Sequence, residues 1–281
     1  MSKVAIVTCR GEDVDPDTPT LLATLTGAGV EHDLVIWDDP AVRWDDYQLV
    51  VIRSTWDYAP RRQEFLSWAR GVRNLVNPYE VIAYSTDKHY LSDVAAKGHR
   101  IVPSHFCDIG NEPEFPAGDF VVKPSVGAGS IDADRYKESE HDKARAHVQR
   151  LHAAGRDALI QPYISSVDEV GERALIFIEG EFSHAMTKGA MLNVTQLDRN
   201  ALFRREQMSK AEGEPDAIAF ATALLHDAGY GDLLYARVDV VRTPDGWALM
   251  ELELVEPSLF LLFDQPTADK LVAGIKRRLE N

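Results

Sequence analysis

The segment LYARVDVVRTPDGWALMELELV, residues 234–255, constrains this chain more than any other. Its residues alternate with a period of two, so Tyr235, Arg237, Asp239 and Val241 share one face of a strand, and Leu249, Glu251, Glu253 and Val255 share one face of the next. Pro244-Asp245-Gly246 suits a three-residue hairpin loop, a type I turn followed by a left-handed glycine, that pairs Thr243 with Trp247. Counting back from that pair sets Asp239 opposite Glu251 and Arg237 opposite Glu253. Like charges directly opposite each other destabilise a sheet, so Asp239 against Glu251 requires a compensating cation, and a divalent metal answers that requirement. Glu251 and Glu253 stand about 7 Å apart at a rise of roughly 3.4 Å per residue, a span that Mg²⁺ and bridging phosphates fill. A solvated polar face is the competing reading, and the apolar VEPSLFLL segment beside it argues against free exposure.

The rest of the chain predicts an α/β protein. Residues 1–85 alternate short apolar runs with helical patterns: VAIVTC from Val4, a helix near Pro19 to Leu25, DLVIW from Asp33, LVVIR from Leu49, and a helix from Arg61 to Val72. Such alternation indicates an open sheet flanked by helices. Asn77-Pro78 is a break, because the residue before proline is pushed out of the helical region. Beyond it a helix from Asp87 carries Tyr90, Leu91, Val94 and Ala95 as an apolar stripe, and FVVKP forms a strand at Phe120 to Pro124. A helix over Glu138 to Ala154, a strand ALIQ ending at Pro162, strands ALIFI and FSHAM, a helix over Asp216 to Ala228, the hairpin and a C-terminal helix complete the pattern.

Composition removes several classes of function. The chain has 281 residues, 45% hydrophobic and 27% charged, enough for a sizeable core. No stretch approaches the roughly 18 consecutive apolar residues of a membrane span, so a membrane protein is excluded. The start MSKVAIV runs straight into a strand without the apolar core of a signal peptide, which predicts a cytoplasmic location. Cys9 and Cys107 have no metal-ligand or CxxC spacing and read as two semi-buried thiols. A net charge of −15 disfavours nucleic acid and requires clustered cations around any anionic substrate.

Such cations are present. Lys123 ends the strand FVVKP, just before a turn with Gly127, Gly129 and Ser130, where backbone N–H groups approach phosphate oxygens. This is neither a Walker A nor a Rossmann sequence, and a plain turn competes with the phosphate reading. Lys88 in the first turn of its helix opposes the macrodipole unless an anion lies nearby. Lys188 follows FSHAM, in which His184 reads as a half-buried, hydrogen-bonded histidine. RSTWDY at Arg53 to Tyr58 places polar and aromatic groups at a strand end, where open α/β sheets bind ligands, against the alternative of a packed tryptophan.

The order Lys88, VVKP with its small-residue loop to Ser130, IQPYI, GER, SHAMTK, RVD and ELELVEPS resembles the ATP-grasp superfamily. The similarity is to its branch of glutathione synthetase-like and ribosomal-protein glutamate ligase-like enzymes. It covers residues 86 to 260, and the first 85 residues are similar to a preATP-grasp domain. The resemblance implies lobes at residues 1–85, 86–165 and 166–281, with the metal-binding strands in the last.

It also implies roles. Lys88 and Lys123 would hold the α- and β-phosphates of ATP, and the loop of Ser125, Gly127, Gly129 and Ser130 would close over them. Gln161, Pro162, Tyr163 and Ile164 form the adenine segment, and Asp168 or Glu172 would bind ribose. Lys188 and Arg237 would act at the γ-phosphate or acylphosphate. Asp239, Glu251 and Glu253 would ligate Mg²⁺, in the family usually two ions, with Mn²⁺ as a substitute. Arg53, Ser54, Thr55, Trp56, Asp57 and Ser258 are the substrate candidates, and a homodimer is compatible with the family.

Such enzymes activate a carboxylate as an acylphosphate for attack by an amine, which needs charge neutralisation and alignment rather than a covalent nucleophile. The chain departs from many relatives in two places: GAMLNVTQLDRN stands where they carry an arginine-containing stretch, and Glu253 stands at the usual asparagine. Both departures concern the acceptor. Within the branch the chain is similar to the O-ureidoserine cyclo-ligases, implying closure of O-ureidoserine to D-cycloserine. A phosphotransferase and a non-catalytic nucleotide sensor are the alternatives.

Overall fold

The computed structural model describes residues 3–11, 15–189 and 208–280. The apolar run at the N-terminus becomes β1 (Lys3–Thr8), which pairs in parallel with β2 (Glu31–Ile36) and β3 (Leu49–Ser54); β3 in turn pairs with β4 (Leu75–Val76). Helices α1 (Thr18–Gly27) and α2 (Arg62–Gly71) supply the crossovers. Both faces of this sheet are covered, which is why β1 and β3 read as unbroken apolar runs.

The predicted break at Asn77-Pro78 is also a clamp. Asn77 sits at φ 26° and is buried; its side-chain N–H groups donate to the carbonyls of Tyr235 (2.9 Å) and Leu254 (2.7 Å), and its oxygen accepts from Leu234 N–H (3.2 Å). The short helices α3 (Tyr79–Ser85) and α4 (Tyr90–Ala96) follow. Lys88 therefore lies ahead of its helix rather than in the first turn, and its backbone N–H donates to Ser125 C=O at 3.0 Å. No macrodipole conflict arises there.

A second, antiparallel sheet has the order β5-β8-β6-β7, from β5 (His105–Cys107), β6 (Phe120–Pro124), β7 (Asp134–Tyr136) and β8 (Ala158–Pro162), backed by α5 (His141–Ala153). After α6 (Ser166–Val170), a third sheet runs β11-β10-β9-β12-β13, from β9 (Glu172–Ile178), β10 (Glu181–Lys188), β11 (Met208–Ala211), β12 (Tyr235–Thr243) and β13 (Gly246–Glu253). Helix α7 (Pro215–Ala228) packs on one face of it. On the other side, α8 (Gln265–Glu280) packs against β9 as well as against α1 and β3, so the C-terminal helix joins the third sheet to the first. The three sheets suit the three-lobe division along the chain, which we retain as a proposal.

The β12–β13 hairpin pairs Asp239 with Glu251 and Arg237 with Glu253, as expected, but by another route. Thr243 pairs with Gly246 rather than Trp247, which shifts the register by one residue, and a bulge beside Asp239 and Val240 shifts it back. The extra residue is Met250. A bulge also switches faces: Leu249 joins Leu252 and Leu254 in the core under α7, while Glu251 and Glu253 point the other way. The expected single face of Leu249, Glu251, Glu253 and Val255 is thus corrected.

Candidate active site

A cavity of about 620 Å³ lies where the three sheets meet. Lys88, Lys123, Lys188 and Arg237 line it together with Glu251 and Glu253, and the loop after β6 contributes Gly127, Gly129 and Ser130 to the wall. The loop is tightly wound: Gly129, Ser130 and Asp132 have φ of 60°, 55° and 57°. For serine and aspartate this left-handed region is uncommon and marks a backbone held in place by its surroundings. Arg156 supplies part of that restraint, binding Asp132 at 2.6 Å and Val126 C=O at 3.4 Å. Ser125 is buried at the foot of the loop, where its N–H donates to Asp157 C=O.

Lys88 joins the loop to the hairpin. Its Nζ donates to Gly127 C=O at 3.0 Å and pairs with Glu251 at 2.8 Å. Burial alone would raise the Glu251 carboxyl, but Lys88 and Lys123 outweigh it and hold the pKa at about 2. Burial in turn pulls Lys123 below its usual value, opposed by Glu251.

Asp239 has no exposed surface, and the cavity lining does not include it. Lys188 binds it at 2.8 Å and Arg237 at 2.9 and 3.0 Å. These two cations keep its carboxyl low despite burial. Arg237 also binds Glu253 across the pair. Glu253 is nevertheless pushed up to about 7, first by burial and then by Asp239 and Glu251, against Arg237. The like-charge conflict in the hairpin is therefore met by the chain's own lysines and arginine, and does not by itself demand a metal.

Among the described residues, no group of three histidine, cysteine or acidic side chains stands ready to hold a metal ion. The donor chemistry still suits one in part: Glu251 and Glu253 offer hard carboxylate oxygens on the cavity wall, the ligands Mg²⁺ prefers, whereas Asp239 lies beneath them with both oxygens engaged.

The expected adenine segment lies outside this cavity lining. The Gln161 side chain donates to Ser104 Oγ (2.9 Å), Tyr163 N–H donates to Asp119 C=O (2.8 Å), and Ile164 C=O accepts from Val167 N–H (3.1 Å). Pro162, the end of β8, has no N–H to offer. Asp168 accepts from the Tyr163 hydroxyl at 2.6 Å and pairs with Arg135, while Glu172 approaches Lys188 at 3.4 Å.

Of the substrate candidates, Trp56 and Ser258 line the cavity. The others hold the framework. Arg53 is buried and donates to Pro257 C=O at 2.8 Å, Ser54 bonds Thr8, Thr55 is fully buried, and Asp57 binds Trp37 and Arg61. His184 is buried and bonded to Thr267 at 3.0 Å, with burial holding its pKa near about 4. Both cysteines are buried and free. The stretch GAMLNVTQLDRN falls, after its first residue, outside the described residues.

The cavity residues outside the sequence-derived candidate set include Asp17, Tyr58, Glu256 and Phe260. Asp17 accepts the N–H groups of Leu259 (2.9 Å) and Leu261 (2.7 Å), fixing Phe260 between them at φ 55°. Glu256 is raised to about 8 by burial and by Glu253, with Tyr58 opposing. Their signals were present but weak: Tyr58 ends the RSTWDY motif, and Glu256 lies three residues beyond Glu253.

A model of the D-cycloserine synthetase DcsG N-terminal domain matches residues 4–77. The cycloserine biosynthesis protein DcsG of Streptomyces lavendulae is 36% identical over 292 residues, covering 95% of each chain. The crystal structure of D-cycloserine synthetase DcsG superposes with a TM-score of 0.89 at 34% identity, over 99% of this chain and 100% of that one. D-alanine–D-alanine ligase from Bacillus anthracis, complexed with ATP, gives a TM-score of 0.70 at 12% identity over 100% and 98% of the two chains, a likeness of fold. With a relative of such identity along nearly its whole length, this chain belongs to the D-cycloserine synthetase family of ATP-grasp ligases.

Proposed function

We propose that this enzyme uses MgATP to activate the carboxylate of O-ureidoserine as an acylphosphate, which the substrate's own oxygen-linked nitrogen attacks to close the ring of D-cycloserine. ADP and phosphate leave, and the terminal carbamoyl group departs with water as carbamic acid. The observation that carries this reading is the set of four cations and two carboxylates on one cavity wall, in a chain 36% identical to the cycloserine biosynthesis protein DcsG.

Three of the four cations are already paired within the chain, Lys88 with Glu251, and Lys188 and Arg237 with Asp239. Nucleotide binding is then an exchange of partners. Lys88 and Lys123 turn to the α- and β-phosphates, and the loop from Ser125 to Ser130 covers them. Glu251 and Glu253 would hold Mg²⁺ from the cavity wall, with Asp239 behind them, and Lys188 would face the γ-phosphate. The metal supplies charge neutralisation at the transferring phosphoryl group. Arg237 stays beside the acylphosphate. Gln161 to Ile164 hold adenine, and Asp168, next to Tyr163, takes the ribose, leaving Glu172 as the partner of Lys188.

The test is product analysis with ATP, Mg²⁺ and O-ureidoserine. Stoichiometric ADP, free phosphate and a cyclised product are expected. A stable phosphorylated product indicates a phosphotransferase instead, and ATP binding without turnover across a panel of amines and acids indicates a nucleotide sensor.

A further inference from the structure

We infer that Glu256 is the anchor for the α-ammonium group of the amino-acid substrate, with Trp56 and Tyr58 of the N-terminal lobe forming the wall beside it. This assignment rests on the ligase reading and adds to it the residue that recognises the amino end of the substrate.

Glu256 lines the cavity and is half-buried. Its backbone is fixed: its own carbonyl accepts the Trp56 indole N–H at 3.1 Å, and the next carbonyl, that of Pro257, accepts from Arg53 at 2.8 Å. Its carboxyl faces the Tyr58 hydroxyl. Every other acid on the cavity wall is already served. Glu251 has Lys88, Glu253 has Arg237, and Asp17 binds two backbone N–H groups. The ion pairs between described residues give Glu256 no cation, and a carboxylate withdrawn from water without one is costly.

A ligand ammonium removes that cost. Trp56, Tyr58 and Phe260 line the same cavity, so aromatic surface is at hand for a cation. An α-amino acid carries its ammonium and carboxylate on one carbon, and its site must present an anion and a cation side by side. Glu256 and Arg237 line one cavity from chain segments that meet at the end of the hairpin. With its ammonium on Glu256, the substrate's carboxylate is directed to the Arg237 side, where phosphoryl transfer takes place.

The experiment compares wild type with Glu256→Gln and Glu256→Asp on O-ureidoserine and on its deaminated analogue, 3-(ureidooxy)propanoate. Glu256→Gln is expected to raise the KM for O-ureidoserine about 10- to 100-fold, the loss of one charge-assisted pair, with a smaller change in kcat and an unchanged KM for ATP. Glu256→Asp, which keeps the charge, is expected to lose less. The deaminated analogue should be a poor substrate for wild type and no poorer for Glu256→Gln. An equal penalty on both substrates, or a loss of kcat at constant KM, overturns the anchor. If wild type forms no ADP with O-ureidoserine, the ligase reading fails for that substrate, and calorimetric binding of D- and L-serine decides the anchor separately. Weaker binding to Glu256→Gln supports it, and equal binding overturns it.

Discussion

Lys88, just ahead of α4, and Glu251, on β13, form a 2.8 Å ion pair that ties the glycine-containing loop after β6 to the carboxylate hairpin. Two residues far apart in the chain thus neutralise each other across the cavity wall.

Glu251→Gln is expected to lower kcat at least about 100-fold, because an amide is a weak ligand for a hard divalent cation. The fold should persist, with a stability loss of about 1–3 kcal/mol from leaving Lys88 less well paired. ADP release and urea denaturation measure the two effects. Full activity in this variant would sink the assignment of Glu251 to the metal.

Asn77→Ala is expected to cost about 2–4 kcal/mol, since it removes buried hydrogen bonds to Tyr235, Leu254 and Leu234 and leaves an alanine at positive φ. The urea midpoint reports it. A loss below about 1 kcal/mol would show that the clamp between the N-terminal and C-terminal lobes carries little weight.

Gly180→Ala is expected to destabilise by about 3 kcal/mol or more. Glu179 and Gly180, at φ 52° and 77°, make the tight turn between β9 and β10, and a Cβ on Gly180 would overlap the Gly231 carbonyl. Thermal melting checks this, and a variant as stable as wild type would rule out that close approach.

Glu256 also sets a pH dependence. Its carboxyl rises from 4.5 to about 8 in the folded chain, so the folded state binds the proton more tightly. The stability it contributes is present below about pH 4.5 and is lost as pH rises through about 8. Relative to wild type, Glu256→Gln should therefore gain stability between about pH 5 and about pH 8.5. Urea midpoints at the two ends measure the slope, and parallel pH profiles would contradict the shift.

Most strands and the larger helices were legible in the sequence because they depend on local periodicity, whereas the gathering of the cations with the acids followed from the resemblance to the ATP-grasp superfamily. The β4, β5, β7 and β11 strands were not legible, being only two to four residues long. Helix α8 was read correctly as a helix, but not its place against α1. The substrate candidates illustrate the same limit: Arg53 and Trp56 are three residues apart, yet Arg53 is buried while Trp56 borders the cavity.

The alternation and turn residues determined, by themselves, a hairpin that brings Asp239 beside Glu251, because a two-residue period and a short loop act over neighbouring residues; the bulge restored the pairing that the turn alone would have offset by one residue. Only the tertiary structure decided how that opposition is relieved. The bulge at Met250 turns Glu251 and Glu253 toward the cavity, and Lys88 and Lys188 arrive from other segments to join the hairpin's own Arg237. Ion pairing depends on distance in space, and the chain closes those distances only when its three sheets pack together.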